Sequence, residues 1–257
     1  MRSRYRISVG GVHLDSLDDN LLILDISNTQ PDRNIKKQTV ANLNGYSVAD
    51  TQVGQQSVTV TFELHIYEVA KRNEACQKVN EWASKGGTLV LNDRNGQRLY
   101  NVICEQYADI QSARNWTDPL TVVFSTTVNP YWQSSTPKTL TLTGKSASGT
   151  LVMDGNTDSA NVGVTVTASA VVNSLQIKVG STILKLTGLN VPAGKQVVVD
   201  YVGNRYLRIR ANGSSVMTKL DPTSSDLLQA KCGASNAVSV TSNAKVTSVF
   251  TARGCWL

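Results

Sequence analysis

Residues 119–138 read PLTVVFSTTVNPYWQSSTPK, and this stretch sets the organisation of the chain. Its first half predicts a strand. Leu120, Val122, Phe124, Thr126 and Val128 share one face at a period of two, and the β-branched content favours extension. Asn129-Pro130 ends it, because proline supplies no ladder donor and steers the preceding residue away from helix. The aromatic pair Tyr131-Trp132 follows, with Trp132 read as a plug between domains. The polar run Gln133–Pro137 then reads as a linker. The predicted division is 1–135 and 136–257.

The two sides differ in charge. Residues 1–135 hold 13 Lys/Arg against 14 Asp/Glu, a net of −1, and residues 136–257 hold 12 against 5, a net of +7. That excess suits nucleic acid, an acidic partner or plain solubility, and does not choose among them. No apolar run is long enough to cross a bilayer, and the basic start MRSRYRISVGGVHL lacks the apolar core of a secretion signal. The four cysteines, Cys76, Cys104, Cys232 and Cys255, form no CxxC. They read as mostly buried thiols of a protein made in a reducing cytoplasm, with a Cys232–Cys255 pairing left open.

Upstream of the seam, Ser57–Tyr67 alternates cleanly, with Val58, Val60, Phe62, Leu64 and Ile66 on one face. Val69–Lys85 predicts the one convincing helix, with an apolar stripe of Val69, Cys76, Val79 and Ala83 beside Trp82. Gly86-Gly87 offers it a left-handed stop. Thr88–Leu91, the turn Asp93-Arg94-Asn95-Gly96 and Arg98–Glu105 predict a hairpin. The first domain is therefore α+β, an antiparallel sheet with one helix. Ser27–Gln56 has too few apolar side chains to hold itself in a core. It reads either as a solvent loop or as an arm ordered by neighbouring subunits. Arg33, Lys36, Lys37 and Tyr46 on that arm, and Trp116 in a polar loop, are the subunit-interface candidates.

Downstream, about ten short strands separated by Gly/Asn turns predict a β-sandwich or jelly roll, with a single helical turn at Asp221–Leu228. In Arg205–Arg210, the side chains of Tyr206, Arg208 and Arg210 share a face that can meet a partner or simply be solvated. The chain contains no GxSxG, HExxH, Walker loop or GxGxxG, and its two histidines cannot build a histidine metal cluster. Asp154, Asn156 and Asp158 alternate as calcium ligands do but lack the rest of a known calcium loop. The expectation is a non-enzymatic structural protein without cofactor or metal.

Several phrases in fixed order resemble the distal tail proteins (Dit) of long-tailed, non-contractile bacteriophages, including those carried as prophages. They are SVTVTFELHIYE running into VAKRNEACQKVNEWASKGG, then TLVLNDRNGQRLYNVICEQ, FSTTVNPYW, VPAGKQVVVDYVGNRYLRIRANG and LLQAKCGASNAVSVTSNAKVTSVFTARGCW. The resemblance implies a hexameric ring at the virion tail tip, synthesised in the host cytoplasm. It implies a ring-forming first domain lining a channel that DNA passes without specific binding. The second domain would be a galectin-like sandwich projecting outward, presenting Tyr206, Arg208 and Arg210. The implied partners are the tail-tube protein and a tail-associated hub, fibre or receptor-binding protein, with no membrane insertion. The competing expectations are a carbohydrate-binding or adhesion module and a tail-tube protein.

Overall fold

The computed structural model describes residues 5–31, 33–38, 47–112, 115–203 and 205–257. The chain is mainly β and forms two compact units, residues 1–132 with Leu257, and residues 133–256. Among the described residues no helix is long and apolar enough to cross a membrane.

The first unit contains β1 (Ile7–Val9), β2 (Val12–His13), β3 (Leu21–Thr29), β4 (Arg33–Gln38), β5 (Ser47–Val53), β6 (Ser57–Leu64), α1 (Val69–Ser84), β7 (Gly87–Leu91), β8 (Gln97–Gln106) and β9 (Leu120–Thr126). Its main sheet runs β2-β1-β7-β8-β9-β6-β3, every pair antiparallel. The alternation read from the sequence decides the faces. Val58, Val60, Phe62 and Leu64 of β6 and Leu120, Val122 and Phe124 of β9 are buried. Helix α1 lies against them through Trp82, whose ring meets Phe124 edge-on at 5.5 Å, a geometry worth about 0.5–1.5 kcal/mol beyond area burial. The indole N–H of Trp82 donates to the Val12 carbonyl at 2.8 Å, so the largest core side chain leaves no polar atom unpaired.

The helix stripe starts one turn later than expected. Val69 is 60% exposed, and the buried set is Arg72, Ala75, Cys76, Val79, Trp82 and Ala83. The helix stops where φ becomes +55° at Gly86; a Cβ there would sit 2.5 Å from the Val102 carbonyl, so no other residue fits.

Beyond β10 (Trp132–Ser134), the second unit contains β11 (Lys138–Val152), β12 (Ala160–Asn161), β13 (Gly163–Ala168), β14 (Val172–Val179), β15 (Thr182–Val191), β16 (Gln196–Val202), β17 (Tyr206–Ala211), β18 (Ser214–Ser215), β19 (Gln229–Ala230), β20 (Ser235–Ala252) and β21 (Cys255–Trp256). Four of the expected short strands are two long ones, β11 and β20, which pair on both sides of an irregularity at Gly144/Ser146. Gly144 and Asn243 look like strand ends in the sequence. In the fold Gly144 is followed by a register shift at Ser146, and Asn243 lies within continuous β20.

The long pair is what makes a sandwich. On the same edge of β20, residues 238–242 pair with β14 and residues 246–251 pair with β13. Two half-sheets, β14-β15 and β13-β16-β17-β18, therefore hang from one bent strand. All the even-numbered residues of β20 except the half-buried Ser242 are buried, among them Val238, Val240, Val246 and Phe250. The helical turn expected at Asp221–Leu228 is instead a 3-10 turn at Met217–Lys219. Asp221 takes a different role: its carboxylate accepts from the Thr223 backbone N–H at 2.8 Å, an Asx turn that competes with helix.

Candidate functional site

Within Ser27–Gln56 the described residues form two antiparallel ladders. Strand β3 pairs with β6 down to Thr29 opposite Ser57, and β4 pairs with β5 from Arg33 opposite Val53 to Gln38 opposite Ser47. Thr29 to Arg33 and Ser57 to Val53 are both four residues, so β4–β5 starts in the register of β3–β6 and keeps it to Lys36, where it shifts. The arm is thus the continuation of a core ladder beyond the main sheet. It carries few apolar residues; Ile35 is one, and it is 43% exposed. Of the interface candidates, Arg33, Lys36 and Lys37 lie on β4, and Lys36 is exposed, at a register position opposite Asp50. Tyr46 lies outside the described residues.

The root of the arm is held by a buried polar cluster that the sequence did not disclose. Gln56 is fully buried. Its backbone N–H donates to Thr126 Oγ1 at 3.1 Å, and its carbonyl accepts from the Thr126 N–H at 3.0 Å. In the amide orientation that satisfies every partner, Trp132 Nε1 donates to Gln56 Oε1 at 2.8 Å. Asn28 Nδ2 donates to the same oxygen at 2.7 Å, and Gln56 Nε2 donates to the Pro130 carbonyl. The Arg94 guanidinium lies 5.0 Å from the centre of the Trp132 ring. The expected inter-domain plug belongs to the first unit, where it ties the seam to the arm.

Trp116 does not stand alone in its loop. Its ring is 4.5 Å from that of Tyr67 and 5.1 Å from His65, whose Nε2 is 2.6 Å from Glu63 Oε2. Trp116 is half-buried and Tyr67 is 76% exposed, so together they form an aromatic patch on the first unit.

On the second unit the basic strand is partly neutralised from within. Asp200 lies opposite Arg208 across the β16–β17 pair. Arg208 donates from Nε to Oδ1 and from Nη2 to Oδ2, both at 2.7 Å, and Arg210 donates to Oδ2 at 2.8 Å. These bonds, Arg208 first, hold the Asp200 carboxyl below the usual carboxylate range. Tyr206 stays 72% exposed. The β16–β17 register sets this pairing, and it was not read from the sequence. Nearby, Tyr201 clamps the Leu228 backbone: its hydroxyl donates to the Leu228 carbonyl at 2.9 Å and accepts from the Leu228 N–H at 3.1 Å. Burial pushes that phenol up to about 12.

A groove of about 390 Å³ on the second unit is lined by Ser174, Gln176, Lys185, Thr187, Asp221 and Asn243 among others, with no aromatic ring in its wall. Among the described residues no group of three or more His, Cys, Asp or Glu side chains could hold a metal ion. Asp154 instead pairs with Lys138 at 2.9 Å.

No protein-family profile and no curated protein sequence matches this chain. Among solved structures, it is similar to the crystal structure of phage SPP1 Dit (gp 19.1), described as a paradigm of the hub adsorption apparatus in phages infecting Gram-positive hosts. The likeness has a TM-score of 0.66 at 15% identity and covers 97% of this chain and 98% of that one. Two structures of the phage P2 baseplate in its activated conformation, with Ca and with Sr, align over 97% of both chains at 6% identity. Their TM-scores of 0.47 and 0.46 are too low to carry an argument. What the SPP1 likeness establishes for this chain is its fold, over both units and end to end.

Proposed function

We propose that the chain is a non-enzymatic structural protein of a phage tail tip, of the Dit type. Six copies form a ring joining the tail tube to the adsorption apparatus, with the first unit building the ring and the second unit peripheral to it. The observation that carries this reading is the likeness to SPP1 Dit across 97% of the chain, covering both units rather than one common module.

The hairpin arm supports it. A closed ring needs heterologous contacts, in which one patch of a subunit meets a different patch of the next. An arm with few apolar side chains, yet anchored through a buried amide cluster, is suited to lie on a neighbour. The Trp116–Tyr67 patch offers the aromatic character that interfaces favour. Charge agrees as well. A strongly basic channel would hold DNA by its phosphates, and the net −1 of residues 1–135 avoids this, leaving the +7 to residues 136–257.

Electron microscopy of the purified chain tests the proposal. Six-fold rings with an open centre are expected. Long stacked tubes would favour a tube protein instead, and single particles at high concentration would favour a monomeric adhesion module.

A further inference from the structure

Two of the four cysteines converge. Cys232 sits in the turn before β20, and Cys255 sits just after it in β21. Both are reduced in this structure and nearly fully buried, at 5% and 3% exposure. Gly155 brings the two segments together. It bridges to Cys255, whose carbonyl would lie 2.2 Å from any Cβ placed there, and a Cβ on Gly233 would lie 2.7 Å from the Gly155 carbonyl. Asn156 and Thr157 donate their backbone N–H groups to the Cys255 carbonyl at 2.9 and 3.3 Å. This backbone packing holds the segments too close for anything larger than glycine at residue 155.

We infer that Cys232 and Cys255 are a disulfide-forming pair: two thiols when the chain is made, and one cystine after exposure to a peroxide, stapling the two ends of β20 together. The Cys255 Sγ–H donates to the Arg253 carbonyl at 3.5 Å, and the Cys232 thiol lies beside it. The Thr157 hydroxyl, 7% exposed and without an oxygen or nitrogen partner, is the other polar group beside the Cys232 sulfur. The neighbouring Cys255 thiol lowers the Cys232 thiol to about 6, which favours Cys232 as the nucleophile. The other two thiols lack such a partner: burial pushes both Cys76 and Cys104 up.

The chemistry balances with hydrogen peroxide as oxidant. The Cys232 thiolate attacks one peroxide oxygen, giving a sulfenic acid and releasing hydroxide. The Cys255 sulfur then attacks the Cys232 sulfur, expelling the hydroxyl, which leaves as water with the Cys255 proton. A further proton turns the released hydroxide into the second water. Two thiols are oxidised by two electrons and one peroxide is reduced to two waters. The cystine encloses the whole of β20, the strand from which both half-sheets hang, so closing it removes freedom from the unfolded chain.

The test uses the full-length protein. Reduced protein is treated with hydrogen peroxide at neutral pH, denatured, alkylated and mapped after trypsin, which cuts at Lys231, Lys245 and Arg253 and leaves the two cysteines on separate peptides. The expected result is loss of two of the four alkylatable thiols and a peptide linking Cys232 to Cys255. The unfolding midpoint should rise by about 5–10 °C, and Cys232→Ser should show neither change. Wild-type mapping decides the question even if that variant folds poorly. Four alkylatable thiols after oxidation, a Cys232 sulfinic acid without a link, a link through Cys76 or Cys104, or a link with no rise in midpoint would each overturn the inference.

Discussion

At the scale of single residues, Gln56 and Asp200 show how polar side chains fix this fold. Gln56 is an amide with no exposure, and its partners are Asn28 on β3 and Thr126, Pro130 and Trp132 along the seam. Gln56→Leu keeps the volume but leaves the Trp132 N–H and the Pro130 carbonyl unpaired. The expected loss is about 1–3 kcal/mol, read as a lower urea midpoint at unchanged slope. Asp200 makes a prediction about pH. Its carboxyl titrates below the unfolded value, which is about 3.9. The clamp on Arg208 and Arg210 therefore contributes fully above that pH and is lost as pH falls through the lower, folded value. The stability gap between wild type and Asp200→Asn should be largest near neutral pH and close below about pH 4. A gap that stays constant with pH would rule out the clamp as its source. Tyr206, Arg208 and Arg210 were legible as one strand face. Their charge was not, because the acid that offsets it lies across a hairpin whose register had to be worked out.

At the scale of elements, periodicity carried most of the information. The β6 alternation, the α1 span and the β7–β8 hairpin followed from apolar spacing and turn residues, because each element buries one face. The arm did not follow, since a hairpin with little to bury has no apolar period to read. The long strands β11 and β20 did not either, because Gly144 and Asn243 mark a bulge or a bend as readily as an end. The pairing of the arm's root leads to a prediction at this scale. The β3–β6 ladder is complete at Thr29–Ser57, so the first unit should fold without the arm. Replacing residues 31–54 by Asn-Gly, a turn suited to a short hairpin, should leave circular dichroism intact and the thermal midpoint within a few degrees of wild type. Loss of cooperative unfolding would mean that the arm belongs to the core after all. Trp116→Ala, removing a half-buried ring, should lower stability by only about 1 kcal/mol while weakening self-association measured by sedimentation.

At the scale of the whole molecule, the chain forms two β-rich units of opposite charge balance, residues 1–135 at −1 and 136–257 at +7. The sequence resemblance and the fold likeness point the same way for different reasons, one from ordered phrases and the other from backbone geometry. The partners remain the proposed tube protein above and adsorption proteins below. The central claim is that the first unit closes into a ring through its hairpin arm. Native mass spectrometry on the intact chain and on the arm-replaced chain tests it most directly. The account predicts an assembly of six copies of the 27.7 kDa chain for the intact protein and a single copy for the arm-replaced one. Equal masses for the two proteins, whether both single or both assembled, would contradict it.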